Sequence, residues 1–360
     1  MAPAWIKRIK RRTQTAFAHA LVLPLDRRPR TVRDLDSLEP RQIVASRTDR
    51  IGDLLLCAPV LLALHRRWPN ARLVLIGGPK NRAAMAGLPF VEAGPLFRRD
   101  PASWTELAWW LGRQRFDVSF SLRAESMAGA WIAAWSGAPV RMATHLTYAH
   151  TAANLILGAD DVHQTTRYCR AAAMLGFPPA DIRPVFIVPA EAERRADAAL
   201  AGLLPPDGKP LVGVQIPRRT SRQAADRAWP VEKVTALVRQ LTAEGCRVVL
   251  CGTGVERDEA EQVRALVPEA VLAPAVPLTV FAAMQRRLDL FVSPYTGTLH
   301  LADAIGVPTV NYGLPEQIEN WGVVGSQHCT IAGATLAEIT VEAVLEGARS
   351  LLSRRRVRTA

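Results

Sequence analysis

From Arg41 onward the sequence alternates short apolar runs with stretches of helical periodicity, and it does so twice. In the first series Ile43–Ser46, Leu73–Ile76, Val118–Leu122 and Val140–Ala143 read as strands, with Phe90–Phe97 as a further candidate. Helical stretches lie between or after them: Leu54–Arg67, Lys80–Ala86, Trp104–Arg113 and Glu125–Trp135. Strands alternating with helices of this length form βαβ units and hence a mostly parallel sheet. The rhythm loosens after Thr144. A helix over Gln164–Leu175, a short run Val185–Val188 and a charged helix Glu191–Ala201 lead to Leu204-Pro205-Pro206-Asp207-Gly208-Lys209-Pro210. Prolines and a glycine packed that densely mark a domain boundary.

The alternation then restarts. Leu211–Ile216, Arg247–Leu250, Ala270–Leu272, Leu288–Val292 and Thr309–Tyr312 read as strands. Helices fit Val231–Ala243, Glu256–Val267, Thr279–Arg286, Thr298–Ile305 and Leu336–Leu352. The chain thus divides into a basic amphipathic N-terminal arm (1–40), an α/β domain (41–203), a linker (204–210), a second α/β domain (211–353) and a basic tail (354–360). Two doubly wound α/β domains in tandem are expected to put their strand C-termini across a common cleft, where such sheets bind ligands. That architecture suits one domain holding a nucleotide-activated donor and the other an acceptor.

Composition narrows the partners. At 360 residues, with 49% apolar and 22% charged residues, the chain fits two globular domains. Its net charge of +12 favours anionic partners such as nucleotides, phosphorylated sugars or anionic lipid. Aromatics are only 6%, and no basic stretch interleaves with them as a stacking platform for nucleic acid requires. The five cysteines are odd in number, widely spread and free of any C-x-x-C, so neither a disulfide framework nor a zinc site is indicated, as suits a reducing cytoplasm. No apolar run approaches the ~20 residues that span a bilayer. The N-terminus imitates a signal peptide, with Lys7–Arg12 before Ala16–Leu25. However, His19 and Pro24 interrupt its apolar part, and Asp26-Arg27-Arg28-Pro29-Arg30 follows where small residues prepare cleavage. A basic amphipathic helix on anionic lipid is the preferred reading, with a solvated arm as the alternative.

Four strand-to-helix turns carry residues suited to chemistry. In the first, Arg47-Thr48-Asp49-Arg50-Ile51-Gly52-Asp53 brings Asp53 to the first turn of a helix, where it either caps the helix or serves as a general base. Arg47, Arg50 and the helix N-terminus favour its ionised form. In the second, Gln215-Ile216-Pro217-Arg218-Arg219-Thr220-Ser221-Arg222 runs on to Asp226-Arg227-Ala228-Trp229-Pro230. Its cations, with the hydroxyls of Thr220 and Ser221, suit a diphosphate leaving group or form a solvated basic loop. Trp229-Pro230 reads as a packing anchor opening a helix. In the third, Ser293-Pro294-Tyr295-Thr296-Gly297-Thr298-Leu299-His300 offers backbone N–H groups and two hydroxyls around Thr296, Gly297 and Thr298 as a phosphate cradle. His300, one turn in, is either a packed histidine or part of that site. In the fourth, Cys251-Gly252-Thr253-Gly254-Val255-Glu256 is a Gly-rich turn. There Gly252, Gly254 and Glu256 either face a nucleotide's base and ribose or simply reverse the chain.

In this order the stretches resemble glycosyltransferase family 9, the heptosyltransferases of the lipopolysaccharide inner core. Arg47-Thr48-Asp49-Arg50-Ile51-Gly52-Asp53 with its apolar helix looks like the family's first motif, and Asp53 falls on its proposed catalytic base. Arg227-Ala228-Trp229-Pro230 is similar to a basic-x-Trp-Pro motif whose cation meets the donor's phosphate, with Arg in place of the usual Lys. Thr296-Gly297-Thr298-Leu299-His300-Leu301-Ala302-Asp303-Ala304-Ile305-Gly306-Val307-Pro308-Thr309 looks like the donor-binding segment, and Asn311-Tyr312-Gly313-Leu314-Pro315 like its trailing Gly-Pro turn. Tyr295 stands where that family usually has Asp. The resemblance implies an α/β GT-B fold, with two Rossmann-like doubly wound domains facing a central cleft. It also implies inverting transfer from an ADP-heptose to a lipid-linked glycan at the inner face of the cytoplasmic membrane, with neither cofactor nor metal. It shifts Asp53 from cap toward base. Two alternatives remain: a nucleotide-sugar epimerase of the same architecture, and a non-catalytic nucleotide- or glycan-binding member at the membrane surface, motivated by Tyr295.

Overall fold

The computed structural model describes residues 28–98, 100–123, 126–144, 152–158, 163–177, 184–201, 208–217 and 229–359, the side chains of 255 and 355–359 aside. The chain forms two compact units, Met1–Arg183 and Pro184–Ala360.

In the first unit, β1 (Gln42–Ser46), β2 (Arg72–Ile76), β3 (Glu92–Ala93), β4 (Val118–Ser121), β5 (Val140–Ala143) and β6 (Leu155–Ile156) form one sheet in the order β3-β2-β1-β4-β5-β6. Every neighbouring pair is parallel. The helices are α1 (Ile51–Arg67), α2 (Arg82–Met85), α3 (Pro101–Arg113), α4 (Met127–Trp135) and α5 (Gln164–Met174). Ile43, Val44, Ala45, Val74, Leu75 and Ile76 are all buried, as befits strands covered on both faces. Each such side chain, when Val, Ile or Leu, contributes about 1.5–3 kcal/mol. Along α3 and α4, Leu107, Leu111, Trp131 and Ile132 close one face of the sheet.

The second unit repeats the plan. Its strands are β7 (Leu211–Gln215), β8 (Arg247–Cys251), β9 (Val271–Leu272), β10 (Leu290–Pro294), β11 (Thr309–Gly313) and β12 (His328–Ala332). They lie in the order β12-β11-β10-β7-β8-β9, again all parallel. Numbered within its own unit, each sheet reads 3-2-1-4-5-6, the dinucleotide-fold order. The helices are α6 (Ala190–Ala201), α7 (Val231–Ala243), α8 (Val255–Leu266), α9 (Leu278–Gln285), α10 (Gly297–Ala304), α11 (Pro315–Trp321) and α12 (Val341–Thr359). Trp229 is a core anchor: its indole N–H donates to the Ile339 carbonyl at 2.9 Å, and its ring meets Tyr312 at 4.9 Å.

Three boundaries differ from the sequence reading. The division falls near residue 184, ahead of the 204–210 segment, because α6 packs on α9. Ala192, Ala196 and Leu200 enter a cluster with Val280, Ala283 and Met284, and Arg287 pairs with both Glu193 and Asp197. Residues 1–27 of the expected arm lie outside the described residues, but 30–38 are tied to the first unit. There the Arg30 N–H donates to the Asn154 carbonyl at 2.7 Å, Leu35 is buried in a 3-10 turn (Val32–Leu35), and the Leu38 carbonyl accepts from the Trp68 indole at 3.0 Å. At the other end α12 continues through Thr359, so most of the expected tail is helical. Among the described residues no helix is long and apolar enough to cross a membrane.

Candidate active site

A doubly wound sheet leaves a crevice at the carboxyl ends of its first and fourth strands, where the connections diverge to opposite sides. In the first unit those are β1 and β4, and the turn after β1 is where Arg47, Asp49 and Asp53 lie. Asp53 is the third residue of α1, whose N-cap is Arg50 and makes no side-chain cap bond. The Asp53 carboxylate instead points to Arg47, with Oδ1 3.0 Å from Nη2.

Arg47 organises the cluster. Its side chain is only 5% exposed, against 15% for Asp49 and 22% for Asp53. Nε donates to Asp49 Oδ1 at 2.8 Å, and Nη1 donates to the Leu122 carbonyl at 2.9 Å and to the Tyr168 hydroxyl. Tyr168, on α5, donates its hydroxyl hydrogen bond to the same Leu122 carbonyl at 2.7 Å. Arg123 Nη1 reaches the outer oxygen of Asp49 at 3.3 Å. The Asn81 amide holds the Arg47 carbonyl at 2.8 Å, which fixes the backbone of the turn. Burial works against the Arg47 charge, but Tyr168, Asp49, Cys57 and Asp53 outweigh it and hold its pKa well above the ordinary value. Burial, aided by the like charge of Asp53, raises the Asp49 carboxyl above its ordinary value although Arg47 and Arg123 pull it down. Burial likewise pushes the Cys57 thiol to about 12, so it stays protonated and inert.

In the second unit the equivalent strands are β7 and β10. Thr296 is the N-cap of α10, and Gly297 and Thr298 open the helix, so their N–H groups lie outside its ladder. The hydroxyls have commitments of their own. Thr298 donates to Gln215 Oε1 at 2.9 Å, across from β10 to the end of β7. Each hydroxyl carries one proton. The 2.8 Å contact between Thr296 and Thr298 therefore has Thr296 as donor. Ser293 donates to the Pro294 carbonyl at 2.8 Å and lies 3.2 Å from the Thr296 oxygen. In this arrangement the cradle offers backbone N–H groups to an anion, while its hydroxyl protons are committed to Gln215, the Pro294 carbonyl and Thr298.

Tyr295 turns away into a separate network. Its hydroxyl donates to Asn311 Oδ1 at 2.8 Å, where Thr330 also donates at 3.0 Å. Burial pushes the phenol up to about 12. Its ring explains Gly313, since a Cβ there would come within 2.5 Å of the Tyr295 ring. His300 is buried at 6% exposure within α10, a packed histidine. Gly254 caps α8 with φ of 60°, and the Glu256 carboxylate accepts from the Thr253 N–H at 3.3 Å, so this turn organises itself. The expected phosphate contacts Thr220, Ser221 and Arg227 lie outside the described residues.

The structure thus brings Asp53 together with three groups that the sequence reading did not connect to it: Asp49 as a second carboxylate, Tyr168, and the Leu122 carbonyl. Gln215 likewise joins the Thr296–Thr298 segment. A polar residue ending an otherwise apolar strand was the available signal for Gln215; Tyr168, distant in sequence on a helix of mixed pattern, offered none.

Known proteins agree with this plan. The chain resembles a glycosyltransferase family 9 structure from Veillonella parvula at 17% identity, covering 87% of this chain and 97% of that one with a TM-score of 0.74. It also resembles the ADP-heptose lipopolysaccharide heptosyltransferase II of E. coli at 18% identity, covering 88% and 99% with a TM-score of 0.70. A UDP-GlcNAc 2-epimerase from Neisseria meningitidis is more distant, at 10% identity over 88% and 92% with a TM-score of 0.52. At these identities the likeness is one of fold, the GT-B type of two Rossmann-like domains. No curated protein matches the sequence. The model of glycosyltransferase family 9 (heptosyltransferase) matches residues 104–333, a span that includes the Thr296–Thr298 segment and leaves Asp53 outside it. Because that match covers more than half of the chain, the protein belongs to glycosyltransferase family 9 and is a glycosyltransferase.

Proposed function

We propose that this chain transfers a heptose, or a related sugar, from an ADP-sugar to a lipid-linked glycan such as a lipopolysaccharide acceptor, with inversion and Asp53 as the general base. One observation carries the assignment of the base. Asp53, 22% exposed, is ion-paired through Oδ1 with a buried guanidinium at the end of β1, an arrangement that leaves its second oxygen for a substrate.

The chemistry asks little more of the protein. As an acceptor hydroxyl attacks the anomeric carbon, the new C–O bond forms and the bond to the β-phosphate oxygen breaks. The hydroxyl proton goes to Asp53, and the electron pair leaves with ADP. The sugar passes through an oxocarbenium-like state, as in glycoside hydrolysis. Negative charge grows on the leaving phosphate, where helix-terminal N–H groups act most strongly. The start of α10 supplies such groups, and Arg227 is proposed to add a cation. We read the reaction as independent of metal and the enzyme as peripheral to the inner face of the cytoplasmic membrane, where the acceptor's lipid would be embedded. The +12 charge supports an anionic surface as its setting.

The test is transfer by the purified full chain from ADP-heptose to glycolipid extracted from cells lacking this chain, read by mass spectrometry. A heptose increment that disappears with Asp53→Asn supports the reading. A new nucleotide sugar formed from donor alone would point instead to an epimerase.

A further inference from the structure

Two carboxylates share the guanidinium of Arg47. Asp49 takes Nε and Asp53 takes Nη2, while Nη1 is committed to Leu122 and Tyr168. The charged and titratable groups around the pair come from every neighbouring element. The turn gives Arg47, α1 gives Cys57, the segment after β4 gives Arg123, and α5 gives Tyr168, with Arg167 acting on Tyr168 in turn. Of these, Arg47 bonds to both carboxylates, and Arg123 bonds to Asp49 from a side chain 43% exposed.

We propose that Asp49 is a positioning residue that keeps Asp53 basic by holding part of the Arg47 charge, and that Arg47 aims Asp53 by fixing one of its oxygens. The proposal rests on Asp53 being the base. With both carboxylates ionised, Arg47, Asp49 and Asp53 together carry one negative charge in excess, which Arg123 offsets only from a solvent-screened position on the far side of Asp49, and this favours taking up a proton. Once Asp53 has received the acceptor's proton, Arg47 and Asp49 remain as a neutral pair. Without Asp49 the same step would leave Arg47 as an unbalanced buried cation, which is disfavoured. Burial is the main cause that raises the Asp49 carboxyl, and the like charge of Asp53 adds to it, in the direction this coupling requires.

The experiment compares wild type, Asp49→Asn and Asp53→Asn in the full chain, with ADP-heptose and glycolipid from cells lacking this chain. For Asp49→Asn we expect kcat to fall about tenfold, the acid limb of kcat against pH to move down by about one unit, and KM for ADP-heptose to stay put. An unmoved limb, or a loss confined to KM, overturns the proposal. A second measurement needs neither turnover nor the Asp49 variant: carbon-13 NMR of the Asp49 carboxyl, with Asp53→Asn. Its titration midpoint should fall by about one unit when the Asp53 charge is removed, and a midpoint that does not move overturns the coupling. Transfer that survives Asp53→Asn overturns the base reading and this inference together. Transfer lost in Asp53→Asn with an unmoved limb in Asp49→Asn overturns this inference alone.

Discussion

The two units place their candidate residues at the same topological point and furnish it in opposite ways. At the β1/β4 point a buried guanidinium, two carboxylates and a phenol form an ionic cluster. At the β7/β10 point a row of hydroxyls and an amide, Ser293, Thr296, Thr298 and Gln215, form a neutral one. The difference fits the roles proposed for the two points. A carboxyl group that is to accept a proton must be ionised beforehand, and a carboxylate kept partly from water needs a cation to hold it. A cradle for a diphosphate must stay free of carboxylates and bind through oriented dipoles.

Substitutions should expose that difference. The largest effect is expected at Arg47. Arg47→Leu leaves two carboxylates without their shared cation, and breaking a buried pair in this way costs about 3–5 kcal/mol, read as a lower midpoint in urea unfolding. Tyr168→Phe removes one bond to that charge while Leu122 keeps its other donor, so a loss of about 1.5 kcal/mol is expected from the same measurement. Thr298→Val, at the neutral point, leaves Gln215 Oε1 without its donor and should cost about 1 kcal/mol. A Thr298→Val loss as large as that of Arg47→Leu would erase the contrast.

The smallest effect is in pH dependence. The folded-state pKa of Asp49 is raised, so folded chains bind its proton before unfolded chains do as pH falls. Its unfavourable contribution is thus fully present above the raised value and relieved as pH drops toward the ordinary carboxyl value of 3.8. The stability of wild type relative to Asp49→Asn should shift in favour of wild type across that window. The cost of Thr298→Val should be flat there, because its hydroxyls, its amide and the Tyr295 phenol do not titrate. Parallel urea titrations at several pH values check both.

The sequence revealed the sheets well and the site unevenly, for physical reasons. Parallel central strands are buried on both faces, so Ile43–Ser46 or Leu211–Gln215 stand out as apolar runs. Edge strands do not: Leu155–Ile156 is two residues long, and His328–Ala332 mixes His, Cys and Thr because it is only partly covered. The segment 204–210 has the composition of a linker, yet α6 had already joined the second unit through long-range ion pairs and packing that no local pattern carries. Asp53 was legible because its helix start is local. The burial of Arg47 was not, since it depends on Leu122 and Tyr168, which lie 75 and 121 residues away.

In the proposed reaction an ionised carboxylate at the β1/β4 point accepts the proton of a sugar transfer. The most direct measurement of that step is the single-turnover rate of heptose transfer from ADP-heptose to glycolipid from cells lacking this chain, for wild type and Asp53→Asn. ADP affinity and the unfolding midpoint are recorded alongside. The expected rate is at least about a hundredfold lower in Asp53→Asn, with ADP affinity and fold unchanged. A folded Asp53→Asn chain that transfers heptose at close to the wild-type rate would contradict it.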